Sequence, residues 1–320
     1  MSLLTSWLAS PAPDAAVEIA PSRVSAATLS SRGGAPAMQS FAVDVLPSQA
    51  VAASLTSHNI LDRASVVASL RTVFDRLERR PARVALIIPD VAAKVSVVRF
   101  DRIPSRRDDL DQLVRWQVRK AAPFPIEEAT VSYTGGTRTA DGGGEFVVVL
   151  ARRDVIAEYE DVCAAAGAHA GLVDIATFAV INLALAAPRV RSGDWLVVHM
   201  RPEYTSIGIV RSGELTFFRN RPEDDEESLT DVVHQTAMYY QDRLSGDGFT
   251  GVLLGGSGRA PGAVEAARLA LEERLGARVD PIDAALAVTL PEITTTAPHL
   301  RDGLAPLAGM LLRTTDMVNA

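Results

Sequence analysis

WLVVHMRPEYTSIGIVRSGELTFFRN, residues 195–220, is the stretch that decides the fold. Its apolar runs, WLVVHM, TSIGIV and ELTFF, are separated by Arg201–Pro202 and by Ser212–Gly213. Short β-branched and aromatic runs divided by turn formers read as a three-stranded antiparallel meander. A helix follows over about 226–244, and GVLLGGSG (251–258) is a strand running into a glycine turn. PGAVEAARLALEERLG (261–276) has a helical period, ARVDPID (277–283) reads as a short edge strand, and GLAPLAGMLLRTTDM (303–317) as a last helix.

The same grammar occurs near the start of the chain. AAVEIAP (15–21), RVSAATLSS (23–31), a Gly33–Gly34 turn and MQSFAVDVL (38–46) form a first meander. An amphipathic helix over 62–78 follows, capped by Asp62, with Val66, Leu70, Val73 and Leu77 on one face. Two copies of a meander followed by helices predict an internally duplicated α/β protein, with two lobes around a cleft.

Between the copies lie the buried strand VALIIPD (84–90), its neighbour KVSVVRFDRI (94–103), and a helix over 109–122 that ends at Pro123-Phe124-Pro125. Strands ATVSYTGGT (129–137) and EFVVVLARR (145–153) join around TADGGG, whose glycines suit a hairpin tip rather than a phosphate loop because no helix follows. Two helices complete this part: one ending at Gly167, and an apolar one over 175–187. The expected division is an extension, 1–13; a first lobe, 14–83 with 154–193 and 303–320; an inserted α+β subdomain, 84–153; and a second lobe, 194–302.

Composition narrows the function classes. The 320 residues are 48% apolar and 22% charged, which excludes wholesale disorder. A net charge of −7 argues against a nucleic-acid scaffold. Cys163 is the only cysteine, so there is no internal disulfide and no cysteine zinc cluster, and its helical context reads as a small buried residue. The five histidines lack metal-ligand spacing, and the acidic run PEDDEES (222–228) reads as charge at a helix N-terminus, so no metal is expected. MSLLTSWLAS has no basic n-region and its apolar run is too short for a signal peptide, and the longest uncharged stretch, Ile175–Pro188, falls short of the ~20 residues that cross a bilayer. A cytoplasmic protein with no direct membrane insertion is expected. Leu3, Leu4, Trp7 and Leu8 fall at helical spacing before Ser10-Pro11-Ala12-Pro13, a segment that either frays or docks on this chain or a partner.

LLGGSGRAPG (253–262) leaves two readings open. Glycines after a strand allow close approach of a flat ligand, or simply a tight strand-to-helix turn.

With the paired meanders and this glycine turn in view, the chain resembles the PilM family of type IV pilus assembly proteins, cytoplasmic relatives of FtsA with the actin-like (RNase H-like) ATPase fold. VALIIPD with VVRFDRIP, LDQLVRWQVRKAAPFPIEEATVSY, AAAGAHAGLVDIATFAV, LVVHMRPEYTSIGIVRSGELTFFRN and LLGGSGRAPG carry the likeness. The resemblance also marks departures. Where the family's first phosphate turn has an acidic residue, glycine and serine, this chain has Glu18-Ile19-Ala20-Pro21-Ser22, and the usual lysine position is Ser25. At the second phosphate turn, His199, Met200, Arg201 and Pro202 replace the aspartate and glycine. Each proline removes an amide donor. Gly255, Gly256, Ser257 and Gly258 survive as the adenosine-side turn, with Ser22 the remaining phosphate-side residue.

The resemblance therefore implies a pseudo-ATPase scaffold, with no catalytic residues and ATP bound weakly at most. The implied partner is the cytoplasmic tail of a bitopic inner-membrane PilN-like protein, with Trp116 and Phe124 of the inserted subdomain as candidate anchors; a pilus or secretion ATPase and self-association are further expectations. The cytoplasmic part of a type II secretion GspL-like protein is also similar. The rival is a working ATPase or sugar kinase on the same fold, needing an acid in the cleft, for which Glu18 and Asp194 stand nearest.

Overall fold

The computed structural model describes residues 13–319 apart from 33–34, 188–189, 191–192, 224–227, 257, 261 and 292–297. The N-terminal Leu/Trp segment, the Gly33–Gly34 turn, Ser257 and most of the acidic run lie outside the described residues.

The first lobe begins with β1 (Ala15–Ala20), β2 (Arg23–Arg32), β3 (Ala35–Val45), α1 (Arg63–Arg76) and β4 (Arg83–Ile88). The insertion holds β5 (Lys94–Phe100), α2 (Arg107–Val118), β6 (Ala129–Arg138) and β7 (Gly144–Arg152). The chain returns through α3 (Arg153–Ala165), β8 (His169–Ile175) and α4 (Ala176–Ala186). The second lobe comprises β9 (Asp194–Met200), β10 (Tyr204–Arg211), β11 (Glu214–Pro222), α5 (Leu229–Leu244), β12 (Gly251–Gly255), α6 (Ala263–Leu275) and β13 (Val279–Pro281), before α7 (Pro298–Asn319).

The duplication is visible in strand order: β3-β2-β1-β4-β8 in one lobe and β11-β10-β9-β12-β13 in the other. In each sheet the meander is antiparallel and the last two strands add in parallel. This is the duplicated two-lobe α/β architecture that the paired meanders predict. The inserted sheet, β5-β7-β6, is separate and antiparallel. One boundary needs correction. Residues 84–88 belong to the first lobe, because β4 lies between β1 and β8 in its sheet; the insertion starts after it. A parallel partner distant in sequence leaves no local mark, so VALIIPD gave no sign of its sheet.

Asp62 accepts from Ser65 N at 3.1 Å and caps α1, whose Val66, Leu70, Val73 and Phe74 bury against Val17, Ile19 and Leu86. A second core spans both lobes. Ile87 from one sheet and Val197 and Leu253 from the other meet α4 and α7 there. That position explains why 175–187 has no charged stripe: most of the helix is buried, and its remaining residues, Phe178, Asn182, Leu185 and Ala186, are half-buried. α4 and α7 approach so closely that a Cβ on Gly309 would stand 1.8 Å from the Ala179 carbonyl oxygen.

Candidate functional site: the cleft and the groove

Two polar clusters occupy the cleft between the lobes. In the first, Glu18 and Ser25 are cross-strand partners on β1 and β2, so their side chains share the face turned to the second lobe. Ser25 Oγ donates to Glu18 Oε2 at 3.3 Å and Arg23 Nη2 stands 3.4 Å from the same oxygen. From the opposite lobe, Arg201 extends from the turn after β9 and donates to Glu18 Oε1. The turn closes through Arg201 N to Tyr204 O at 2.7 Å.

Glu18 is 1% exposed and Arg201 3%. Burial opposes charge on both. The attraction of Arg201 and Arg23 nonetheless holds the Glu18 carboxyl below its usual range, and Glu18 in turn pushes the Arg201 guanidinium up. Asp302, on α7, accepts from Gly256 N at 2.7 Å; burial pushes its carboxyl up to about 6, against the pull of that amide and of Arg201.

Asp90 organises the second cluster. It follows β4 and is fully buried, accepting from Thr177 N at 2.9 Å and from the hydroxyls of Thr177 and Ser206. Its own N–H donates to Tyr204 Oη at 3.2 Å. Burial still raises the Asp90 carboxyl pKa, the donors notwithstanding. Thr177 spends its proton on Asp90, so His199 Nδ1 is the donor in its 2.8 Å contact with Thr177 Oγ1. Burial, then Arg201 and Arg23, hold His199 neutral, far below its ordinary value. Within the cleft, three enclosed polar atoms find no hydrogen-bond partner among the described residues: His199 Nε2, Arg201 Nη1 and Asp302 Oδ1. Asp90, Thr177 and Asp302 were not singled out from the sequence; the signal available was an acid closing a buried apolar strand.

The glycine turn has packing reasons of its own. A Cβ on Gly256 would meet Val264 Cγ2 at 2.3 Å, and one on Gly255 would stand 3.0 Å from Asp302 Oδ1. Gly258, at φ +87°, faces Pro202 and Arg23 at 3.2 and 3.4 Å from a notional Cβ. Ser22 is exposed and its carbonyl accepts from Leu46 N at 2.9 Å. Asp194 lies at the other end of β9 from His199, about 17 Å along the strand, bonded to Arg211 and Tyr240. Among the described residues no three His, Cys, Asp or Glu side chains converge as a metal site. Cys163 is buried, its thiol pushed up to about 12.

A second feature was not legible in the sequence: an apolar groove of about 340 Å³ between the insertion and the first lobe, bordered also by Gly213, Glu214 and Leu215 of the second lobe. Val147, Val149, Leu172, Ile175, Phe178 and Leu215 contribute to its lining, and the ion-paired Asp174 and Arg313 also border it. β6 forms one wall and β8 the other, and each is the edge strand of its sheet. The two predicted anchors stand elsewhere. Trp116 is on α2, 67% exposed, and Phe124 packs partly buried against Val114, Val118 and Ile126. No helix among the described residues is long and apolar enough to cross a membrane.

Comparison with known proteins agrees with this architecture. A family model described as type IV pilus assembly protein PilM matches residues 16–239. A solved PilM–PilN type IV pilus biogenesis complex contains a chain that superposes with a TM-score of 0.80 at 17% identity, covering 95% of this chain and 99% of that one. A Bacteroides thetaiotaomicron protein with an actin-like ATPase fold and unknown function gives 0.49 at 11% identity, covering 96% and 98%. The cytoplasmic domain of EpsL, an inner-membrane component of the Vibrio cholerae type II secretion system, gives 0.46 at 10%, covering 77% and 83%. No curated protein matches the sequence.

Proposed function

The chain belongs to the PilM family of type IV pilus assembly proteins, and from that premise we propose that it is a pilus-assembly scaffold that holds the tail of a PilN-like membrane protein in the groove between β6 and β8. One observation carries the reading: two strands that are sheet edges among the described residues flank an apolar groove of about 340 Å³. An edge strand offers unused N–H and C=O groups, and an extended peptide that adds to it gains main-chain hydrogen bonds while alternate side chains fill the apolar floor. The superposition on a chain of a PilM–PilN complex supports the same partner class. The protein then sits beside the inner membrane through that partner, where a pilus ATPase is a further candidate contact.

In the same reading the cleft is a structural joint, and the protein a pseudo-ATPase. The residues present do not fit a nucleotide triphosphate. Arg201 is paired with Glu18, Pro21 and Pro202 have no backbone N–H to donate, and the glycine turn abuts Arg23 and Pro202. Two experiments test the two halves. A PilN-like tail peptide from the same genome should bind the full chain, and Ser132→Arg on the exposed groove side of β6 should weaken it at least tenfold; unchanged binding sinks the groove assignment. Millimolar ATP with Mg²⁺ should leave Tm unmoved, whereas a ligand at 100 times its Kd would add about 2.7 kcal/mol and several degrees. A Mg²⁺-dependent shift would restore the ATPase rival.

A further inference from the structure

Trp116 is the most exposed aromatic side chain among the described residues, at 67%. α2 lies across the face of the inserted sheet that carries Phe146 and Val148, with Val114 and Val118 buried against them. Trp116 is two residues from both, which puts it on the opposite side of the helix. Arg119 and Lys120 follow three and four residues on and so share its face, and Arg115 adjoins. All three cations are exposed. Among the described residues their side chains form no ion pair or hydrogen bond, whereas Arg152, Arg211, Arg268 and Arg313 are each tied to a carboxylate.

The mount beneath this face is rigid. Lys94 Nζ on β5 donates to Ala121 O at 2.8 Å, pinning the end of the 3-10 turn at Arg119–Ala121, and Tyr133 Oη on β6 donates to Asp111. Asp108 and Asp109 lie in the first turn of α2, and Glu127 and Glu128 on the next 3-10 turn, so the cationic end is bounded by acids. We propose that Trp116, Arg115, Arg119 and Lys120 form a membrane-surface contact for anionic lipid headgroups. The occupant follows from the chemistry. A projecting indole has an apolar body and one N–H, the combination that settles at a bilayer interface, and flanking long cations reach phosphates.

The protein as a whole carries −7 and is repelled by an anionic surface, so contact through this face also fixes orientation. Three cations at roughly fivefold each give a weak, salt-sensitive association. Such a contact matters when a second attachment is present, because a tether turns it into an intramolecular event. The inference stands on α2 alone and is independent of what fills the groove.

The test uses the full chain and vesicles of phosphatidylcholine, with or without about half phosphatidylglycerol, at low salt and at about 0.5 M NaCl. Co-sedimentation should require phosphatidylglycerol, disappear at high salt, and fall at least tenfold in Arg119→Glu/Lys120→Glu. Arg243→Glu/Arg274→Glu, the same charge change on exposed positions of the second lobe, should bind like the parent. In a Trp7→Phe background, brominated lipid should quench Trp116, while Trp195, 5% exposed, is spared. Equal binding to neutral vesicles, equal loss in the two double variants, or no quenching would each overturn the proposal.

Discussion

The cleft and the groove face opposite problems. The cleft between the lobes is polar and crowded: Glu18 of one lobe is paired with Arg201 of the other, and Asp90 is held by the hydroxyls of Thr177 and Ser206. The groove between β6 and β8 is apolar, open, and bordered by two strands that are sheet edges among the described residues. Buried charges that must find one another are a poor device for binding and a good one for fixing the position of two bodies. Removing either member leaves the other stranded in low dielectric, which makes the pair specific even when its net stabilisation is small. Unpaired strand edges over an apolar floor do the reverse. They contribute nothing to the free chain and become useful only when another chain arrives.

That contrast can be broken at its strongest point first. Arg201→Ala should strand Glu18, 1% exposed, at a cost of about 3–5 kcal/mol. Replacing both partners, Glu18→Met with Arg201→Met, should recover most of the loss. Urea titration of Glu18→Met, Arg201→Met and the double variant decides it. Additive losses would mean that the cleft is not a paired joint. The groove should respond in the opposite sense. Ser132→Arg should alter stability by no more than about 0.5 kcal/mol while costing at least 1.4 kcal/mol of tail binding, measured by calorimetry. A large drop in Tm would show that β6 is part of the core instead of a free edge.

The subtlest difference is in pH dependence. Asp302, raised to about 6 from an ordinary value near 3.8, holds its proton more tightly folded than unfolded, so its contribution declines as pH rises through that window. Glu18 is depressed, so its contribution is present above its unfolded value and is lost only as pH falls below it. His199 is depressed too, and stability is lost as pH falls through the unfolded value of about 6.5. Asp302→Asn should therefore gain on the parent chain between pH 4 and 6, with a flat difference above. Urea midpoints at four pH values in that range measure it, and a pH-independent difference would refute the assignment to Asp302.

Much of the architecture was legible because it is written in local periods. Both meanders, the glycine-ended helix at Gly167 and the amphipathic α1 were read from apolar spacing and turn residues. Pairing over long distances was not. β4 was assigned to the insertion because nothing within VALIIPD shows that β1 and β8 flank it. Arg201 stood in the sequence only as a replacement within the second phosphate turn, because its partner Glu18 is 183 positions away. Asp90 closes an apolar strand like many turn aspartates, and the groups that define it, Thr177 and Ser206, lie 87 and 116 positions on. The one hint was Glu18 itself: a lone acid inside AAVEIA needs a cation from somewhere. The groove left no trace at all, since it arises where two sheet edges from different parts of the chain face each other.

The place of α7 has a consequence for how the protein is made. This helix follows the whole second lobe in sequence, yet Leu307 and Met310 share a core with Ala16 and Ile87 of the first. On a ribosome adding about 5–20 residues per second, α4 emerges and then waits on the order of ten seconds for the helix that covers it. During that interval the face of Ala176–Ala186 that α7 will cover stays bare, while β4 and then β9 and β12 supply the rest of its cover. Gly309 then governs the final docking step, because only a residue without a side chain lets α7 settle against the Ala179 carbonyl.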